Sequence, residues 1–245
     1  VAIGPTVKFA AIDQARSHVW KPKLHEIAAG SMDVGLHEVA YRAQAHWHGF
    51  AFRVGSMTGL DREHRVVHVA PFVDEDGSQV TPARTFGYDT LVIAVGSQSN
   101  SFGTPGVAEH ALRLETTADA RRFHRRMVNG LIRAHAQASP LEAHQLHVAI
   151  IGAGATGVEL AAELHRTTRE LVAYGLDRID PDKDLSIHLI EAAERVLPGL
   201  PERVSKPAQQ LLSELGVGVH VGTRVAEVLP NAVRLADGTQ IPAEL

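Results

Sequence analysis

Gly152, Gly154 and Gly157 stand in the order Gly152-Ala153-Gly154-Ala155-Thr156-Gly157, directly after the apolar run Val148-Ala149-Ile150-Ile151. That spacing suits one task, cradling the pyrophosphate of a dinucleotide. The first glycine permits a tight turn, the second lets a phosphate approach the backbone, and the third lets a following helix press on the preceding strand. Ala153 and Ala155 are the small residues between them, and a helix opening at Ala155 would add free N–H groups and a positive dipole end. Glycine-rich turns also occur by chance, so the surroundings matter. Here a buried-type strand precedes the turn, an amphipathic stretch follows, and the next apolar run, 185–190, closes on Glu191. A carboxylate there accepts hydrogen bonds from an adenosine ribose diol and repels a 2′-phosphate, which favours NAD over NADP. Arg195 lies close enough in sequence to be recruited to a phosphate and keeps the second nucleotide open. Glu159, two residues past the last glycine, is an acid near a helix start, where the dipole stabilises it.

These residues need a parallel sheet with helices, and the chain contains that pattern twice. The second copy starts at His147. Beyond Glu191 it continues with a helix over 201–215, whose apolar face is Val204, Ala208, Leu211, Leu212 and Leu215, and a strand over 217–221. Strands over 224–229 and 232–235 then meet at a Pro-Asn turn, before a turn at Asp237-Gly238. A polar insert over 174–183 separates the glycine-turn helix from its next strand and accounts for the long spacing to Glu191.

The first copy shows a strand over 7–12 ending at Asp13, the counterpart of Glu191. Strands follow over 50–60, 65–73 and 79–88, with a closing apolar strand over 90–96. Asp13 is either a strand-end carboxylate in solvent or a second ribose contact, and its matched position favours the latter. An opening βα unit of about 30 residues is absent from this copy, and a closing strand is absent from the second. The chain begins at Val1 and stops at Leu245 within the pattern, so it reads as a fragment. The fold class expected is α/β, two Rossmann-like dinucleotide-binding domains, each with a β-meander and both truncated, over 1–112 and 113–245. Between the copies, Thr116 reads as the N-cap of a helix carrying Arg121, Arg122, Arg125 and Arg126 on one solvated face.

Composition narrows the chemistry. A net charge of −4 and the lack of aromatic residues interleaved with the arginines argue against nucleic acid. No apolar run reaches the roughly 20 residues of a membrane span. With no cysteine, disulfides, iron–sulfur clusters, Cys-ligated zinc and dithiol redox pairs are excluded within these residues. The 15 histidines include His46-x-His48 and the pair His144 and His147, but no zinc spacing, so they read as surface groups and no metal is expected.

Several stretches carry a resemblance: Ala11-Ile12-Asp13, Trp20-Lys21-Pro22 with His25-Glu26 and Ala28-Ala29-Gly30, 88–96, the glycine turn, and Glu191-Ala192-Ala193-Glu194-Arg195-Val196-Leu197-Pro198. Together they resemble the two-dinucleotide-binding flavoproteins (the pyridine nucleotide-disulfide oxidoreductase-like family), and within it the type II NADH dehydrogenases, which are NADH:quinone oxidoreductases. The resemblance implies FAD in the first domain and NADH in the second. Asp13 would hold the FAD ribose, the backbone around Lys21 and Pro22 would lie near the flavin, and Ala94 to Gly96 would sit beside it, with Val95 where relatives usually carry Thr. Gly152, Gly154, Gly157 and Glu191 would bind NADH. Glu159 would sit close to nicotinamide and flavin, or be only the helix acid described above.

Hydride would pass from NADH to flavin and electrons onward to a quinone, without disulfide or metal. The same scaffold leaves open a ferredoxin, rubredoxin or apoptosis-inducing-factor type reductase, and a nucleotide-responsive binding protein without turnover. The resemblance further implies a cytoplasmic protein, peripheral on the inner face of the cell membrane through a more C-terminal region, with a homodimer as one arrangement. These residues alone are expected neither to hold FAD tightly nor to turn over.

Overall fold

The computed structural model describes residues 8–245. They form a mixed α/β, Rossmann-like fold in two compact units, one running to Val19 and then over Val34–Ser97, the other made of Trp20–Asp33 and Gln98–Leu245. Residues 20–33 and 98–112 therefore pack within the second unit.

In the first unit the strand Ala10–Asp13 runs parallel to Ala51–Val54, pairing Asp13 with Val54. The expected strand reaches back to Val7, which lies outside the described residues. Helix Tyr41–His48 stops at Gly49, in the left-handed region at φ 69°, and buries Ala45 against Phe52 and Val54. Each of the three long strands read from the sequence is two short ones. Residues 50–60 split into Ala51–Val54 and Met57–Asp61 at Gly55, whose φ of 149° suits glycine. Residues 65–73 split into Val66–Val69 and Phe72–Val73 at Pro71, and 79–88 into Gln79–Thr81 and Arg84–Gly87 at Pro82. Proline has no N–H to give a ladder, so apolar patterning that continues across it does not continue the strand. Met57–Asp61, Val66–Val69 and Arg84–Gly87 make an antiparallel meander.

The closing strand expected over 90–96 does not form. These residues carry no regular structure, and Val92 and Val95 are 77% and 84% exposed. A strand needs a neighbour's row of N–H and C=O groups, and no strand among the described residues pairs with this one.

The second unit is built on three parallel strands, His147–Ile151, Ser186–Ile190 and Gly218–His220, side by side in that order. Helix Ala155–Ala173 covers one face with Leu160, Ala161, Leu164 and Val172 buried. An antiparallel meander of Val225–Leu229, Ala232–Leu235 and Gln240–Pro242 packs Val233, Leu235 and Ile241 on Ile190. The polar insert over 174–183 also carries an anchor. Ile179, 5% exposed, sits in a core cluster with Leu131, Ala134, Leu146 and Val172.

Helix Glu202–Glu214 lies within the predicted span and turns part of the expected face inward, with Leu212 buried and Ala208 and Leu215 half-buried. Ser205 and Leu212, seven residues apart, are buried, while Val204 and Leu211 are exposed. The Ser205 hydroxyl donates to the Val196 carbonyl in the interior, which satisfies a buried acceptor.

Thr116 caps helix Thr117–Ala136 as expected. Its hydroxyl accepts from Asp119 N at 3.1 Å, and Asp119 Oδ2 accepts from Thr116 N at 3.0 Å, a reciprocal capping box. Arg121, Arg122, Arg125 and Arg126 are exposed. On the same unit, residues 20–33 form a 3₁₀ turn Lys21–Lys23 and a short helix Leu24–Ala29, which packs on Thr117–Ala136 and Ala155–Ala173. It ends at Gly30, at φ 88°, where a Cβ would run into the His124 ring.

Replacing Thr116 by alanine should cost about 1 kcal/mol of unfolding free energy, with serine recovering most of it in chemical denaturation. A second expectation concerns acid. Burial pushes the Glu115 carboxyl up, but the Lys21 ammonium at 2.7 Å and the Ser99 N–H outweigh it and hold its pKa at about 2 instead of 4.5. A carboxyl depressed on folding stabilises the fold above its unfolded pKa, and that contribution is lost as pH falls from about 4.5 towards 2. An acid melt of the Glu115→Gln variant should lack this component.

Candidate functional site

The glycine turn sorts its three glycines by distinct physical needs. Gly152 leaves the strand at φ 104°, a left-handed turn that a side chain would strain. At Gly157 a Cβ would drive into the Gly152 carbonyl oxygen and come within 3.4 Å of Ile150 Cγ2, so the helix sits as close to the strand as glycine allows. Gly154, the helix N-cap, is the opposite case. Nothing lies within 4 Å of where its Cβ would be, so the backbone is open to an approaching group. The first turn of a helix has N–H groups without intrahelical partners, and Ala155 begins that turn. Open space over Gly154, beside those donors, fits a diphosphate.

Glu191 binds this turn to the loop that follows it. Its Oε2 accepts from Ala153 N and its Oε1 from Ala193 N, each at 2.8 Å. Ala153 is fully buried, and its carbonyl accepts from Leu197 N at 2.7 Å. A carboxylate offers about four lone-pair sites, so two backbone donors leave sites for a ribose diol. Arg195 Nη2 donates to the Pro198 carbonyl at 3.0 Å, while its buried Nη1 has no hydrogen-bond partner among the described residues.

Glu159 projects from the second turn of the same helix. Its Oε2 lies 3.3 Å from His25 Nδ1, on the helix Leu24–Ala29. Pro22 lies in the 3₁₀ turn before that helix, and its carbonyl meets the same His25 Nδ1 at 2.8 Å. Lys21 is paired with Glu115. The fold thus brings Lys21, Pro22 and Glu159 into one unit with the glycine turn and Glu191. His25 and Glu115 were not singled out by sequence reasoning. No periodicity connects positions 25 and 159, and the only signal was His25's place in the Trp20–Gly30 stretch.

Asp13 ends its strand in the other unit, as Glu191 follows its own. Its Oδ1 accepts from Ala15 N at 2.8 Å and its Oδ2 from the Tyr41 hydroxyl at 3.1 Å, again leaving acceptor sites. Burial and the neighbouring Asp13 carboxylate push the Tyr41 hydroxyl up to about 12, so it stays a donor. Ala94 and Gly96 lie in the exposed segment without regular structure.

The histidines divide. His46 and His48 are exposed on helix Tyr41–His48. The expectation of surface groups fails for His147, which sits half-buried on a sheet strand, with its ring centroid 6.4 Å from that of His188. Burial, the larger cause, holds its pKa below the usual histidine value, and nearby His144 adds to the shift.

Residues 6–245 match the pyridine nucleotide-disulphide oxidoreductase family. The chain is 37% identical, over 97% of its length, to the type II NADH:quinone oxidoreductase of Haemophilus influenzae, of which it covers 56%. It is 36% identical over 173 residues to the external alternative NAD(P)H-ubiquinone oxidoreductase B1, mitochondrial, of Arabidopsis thaliana, covering 69% of this chain and 29% of that one. Among solved structures, NDH2 from Plasmodium falciparum in complex with NADH aligns with a TM-score of 0.82 at 20% identity, over 97% of this chain and 49% of that one. The chain therefore spans about half the length of these relatives or less. With the glycine turn, the strand-end acids and this match along nearly its whole length, the chain belongs to the pyridine nucleotide-disulphide oxidoreductase family.

Proposed function

We propose that the protein is an FAD-dependent NADH:quinone oxidoreductase of the type II class. The observation that carries this reading is the glycine turn clamped by Glu191, open over Gly154 and closed under Gly157. Similarity to the Haemophilus influenzae type II NADH:quinone oxidoreductase supports the rest. When bound, NADH and FAD supply hydride transfer, and the reduced flavin supplies electrons for a quinone.

The protein's own residues bind and orient. The N–H groups at the start of helix Ala155–Ala173 face the NADH phosphates, and the backbone at Gly152, Ala153 and Gly154 makes room for them. Glu191 accepts from the ribose 2′-hydroxyl and repels a 2′-phosphate, which sets the preference for NADH. Asp13 accepts from the FAD ribose, with the backbone at Ala94 and Gly96 alongside the flavin. Glu159 places a carboxylate near the nicotinamide. A quinone partitions into lipid, so the reading includes peripheral attachment to the inner face of the cell membrane. No helix among the described residues is long and apolar enough to cross a membrane.

The test uses the full-length protein, loaded with FAD and kept free of oxygen. Titration with NADH should bleach the flavin stoichiometrically, NADPH should do so far less well, and added quinone should restore the colour. Bleaching without recovery by quinone would move the reading to a reductase with a protein acceptor. No bleaching by either nucleotide would remove the enzyme reading altogether. Glu191→Gln should erode the discrimination between NADH and NADPH by about tenfold, the scale of one charge-assisted hydrogen bond. Gly157→Ala should weaken NADH binding and lower the melting temperature together, because its methyl group has nowhere to go.

A further inference from the structure

We propose that His25 is the positioning residue for Glu159, and that its imidazole Nδ1–H fixes the orientation in which that carboxylate meets a nicotinamide nucleotide. The inference rests on the reading above in one respect, that Glu159 lies near the nicotinamide.

The geometry determines which nitrogen carries the proton. Nδ1 faces two acceptors, the Pro22 carbonyl at 2.8 Å and Glu159 Oε2 at 3.3 Å. An ionised carboxylate and a carbonyl both lack hydrogens to give, so Nδ1 must be the donor and its hydrogen is shared between them. The neutral imidazole is thereby held in one tautomer.

The ring is much better fixed than the group it holds. The His25 side chain is 13% exposed, whereas that of Glu159 is 49% exposed. Behind His25, the helix Leu24–Ala29 is anchored by buried Leu24, Ile27, Ala28 and Ala29. Among the described residues Glu159 has no other ion pair and no side-chain hydrogen bond. Nor does the helix end hold it, because the dipole's influence fades within the first turn and Glu159 lies beyond that. Without His25 a half-exposed glutamate samples several rotamers, and ordering it on binding costs free energy.

The other ring nitrogen, Nε2, also lies near a carboxylate. Glu26 Oε1 lies 3.9 Å from Nε2, and Glu159 and Glu163 come from the helix Ala155–Ala173. Burial pushes the Glu163 carboxyl up, but Ser31, Arg166 and His25 outweigh it and hold it below its usual value. The counter-charges are Lys23, 2.5 Å from Glu26, and Arg166, 2.5 Å from Glu163. Helix Thr117–Ala136 brings His124 against this segment at Gly30.

The experiment is a double-mutant cycle on the full-length, FAD-loaded protein. NAD⁺ affinity is read by calorimetry, and flavin bleaching by NADH is read in a single turnover. His25→Ala and Glu159→Gln should each weaken NAD⁺ binding or slow bleaching by about fivefold, and the double variant should be no worse than Glu159→Gln alone. His25→Asn, whose amide N–H takes the place of Nδ1–H, should recover most of the loss. His25→Gln, whose amide reaches the Nε2 position, should behave like alanine. Additive effects in the cycle, or equal behaviour of the Asn, Gln and Ala variants, would overturn the proposal. The two readings fail separately. Wild-type protein that NADH does not bleach removes the dehydrogenase reading, while the NAD⁺ cycle still reports the coupling of His25 to Glu159.

Discussion

The closeness of helix Ala155–Ala173 to the strand before it governs the rest of the second unit. A side chain at Gly157 would collide with the Gly152 carbonyl, so the strand, the turn and the first helical turn form one tight corner. Because the corner is tight, Ala153 is buried, with its N–H turned to Glu191 and its carbonyl to Leu197 N. Those two bonds tie the next strand and the loop after it to the same point. A polar group buried in that corner without a partner would cost about 1–3 kcal/mol, and both are satisfied. Glu191 is therefore a structural clamp in the protein itself as well as a candidate ribose acceptor.

Around that corner the unit is assembled from segments distant in sequence. Helix Leu24–Ala29 docks on both long helices, and Lys21 is held by Glu115 ahead of the Thr116 cap. This carries His25 and Pro22 to Glu159, so the residues at the helix opening are ordered by a piece of chain more than a hundred positions away. Packing of four buried apolar side chains places the short helix, and the polar contacts then orient single atoms. Apolar burial is non-directional and suits the first task. Hydrogen bonds are directional and suit the second.

Where reading from sequence went astray, a local rule was outweighed by one it did not weigh. Apolar alternation ran through Gly55, Pro71 and Pro82, yet each of these residues ends a strand for reasons of backbone conformation or a missing donor. Of the stripe Val204, Ala208, Leu211, Leu212 and Leu215, the structure buries Leu212 and exposes Val204 and Leu211, and it buries Ser205, whose hydroxyl donates to the Val196 carbonyl. Residues 90–96 have the composition of a central strand and no neighbour to pair with among the described residues. The insert over 174–183 looked like a spacer, and its one deeply buried side chain, Ile179, has a structural task.

The sequence by itself determined the glycine turn, the strand and helix on either side, the acids at the two strand ends, the Thr116 cap and the α/β class. All of these follow from local backbone requirements or short-period patterning, which neighbouring residues impose without help. Only the tertiary structure decided that Glu191 clamps Ala153, that His25 reaches Glu159, that Glu115 meets Lys21, and which face of helix Glu202–Glu214 is buried. Such pairings depend on where whole elements come to rest. That is set by the summed packing of side chains far apart in the chain, and no spacing within one segment records it.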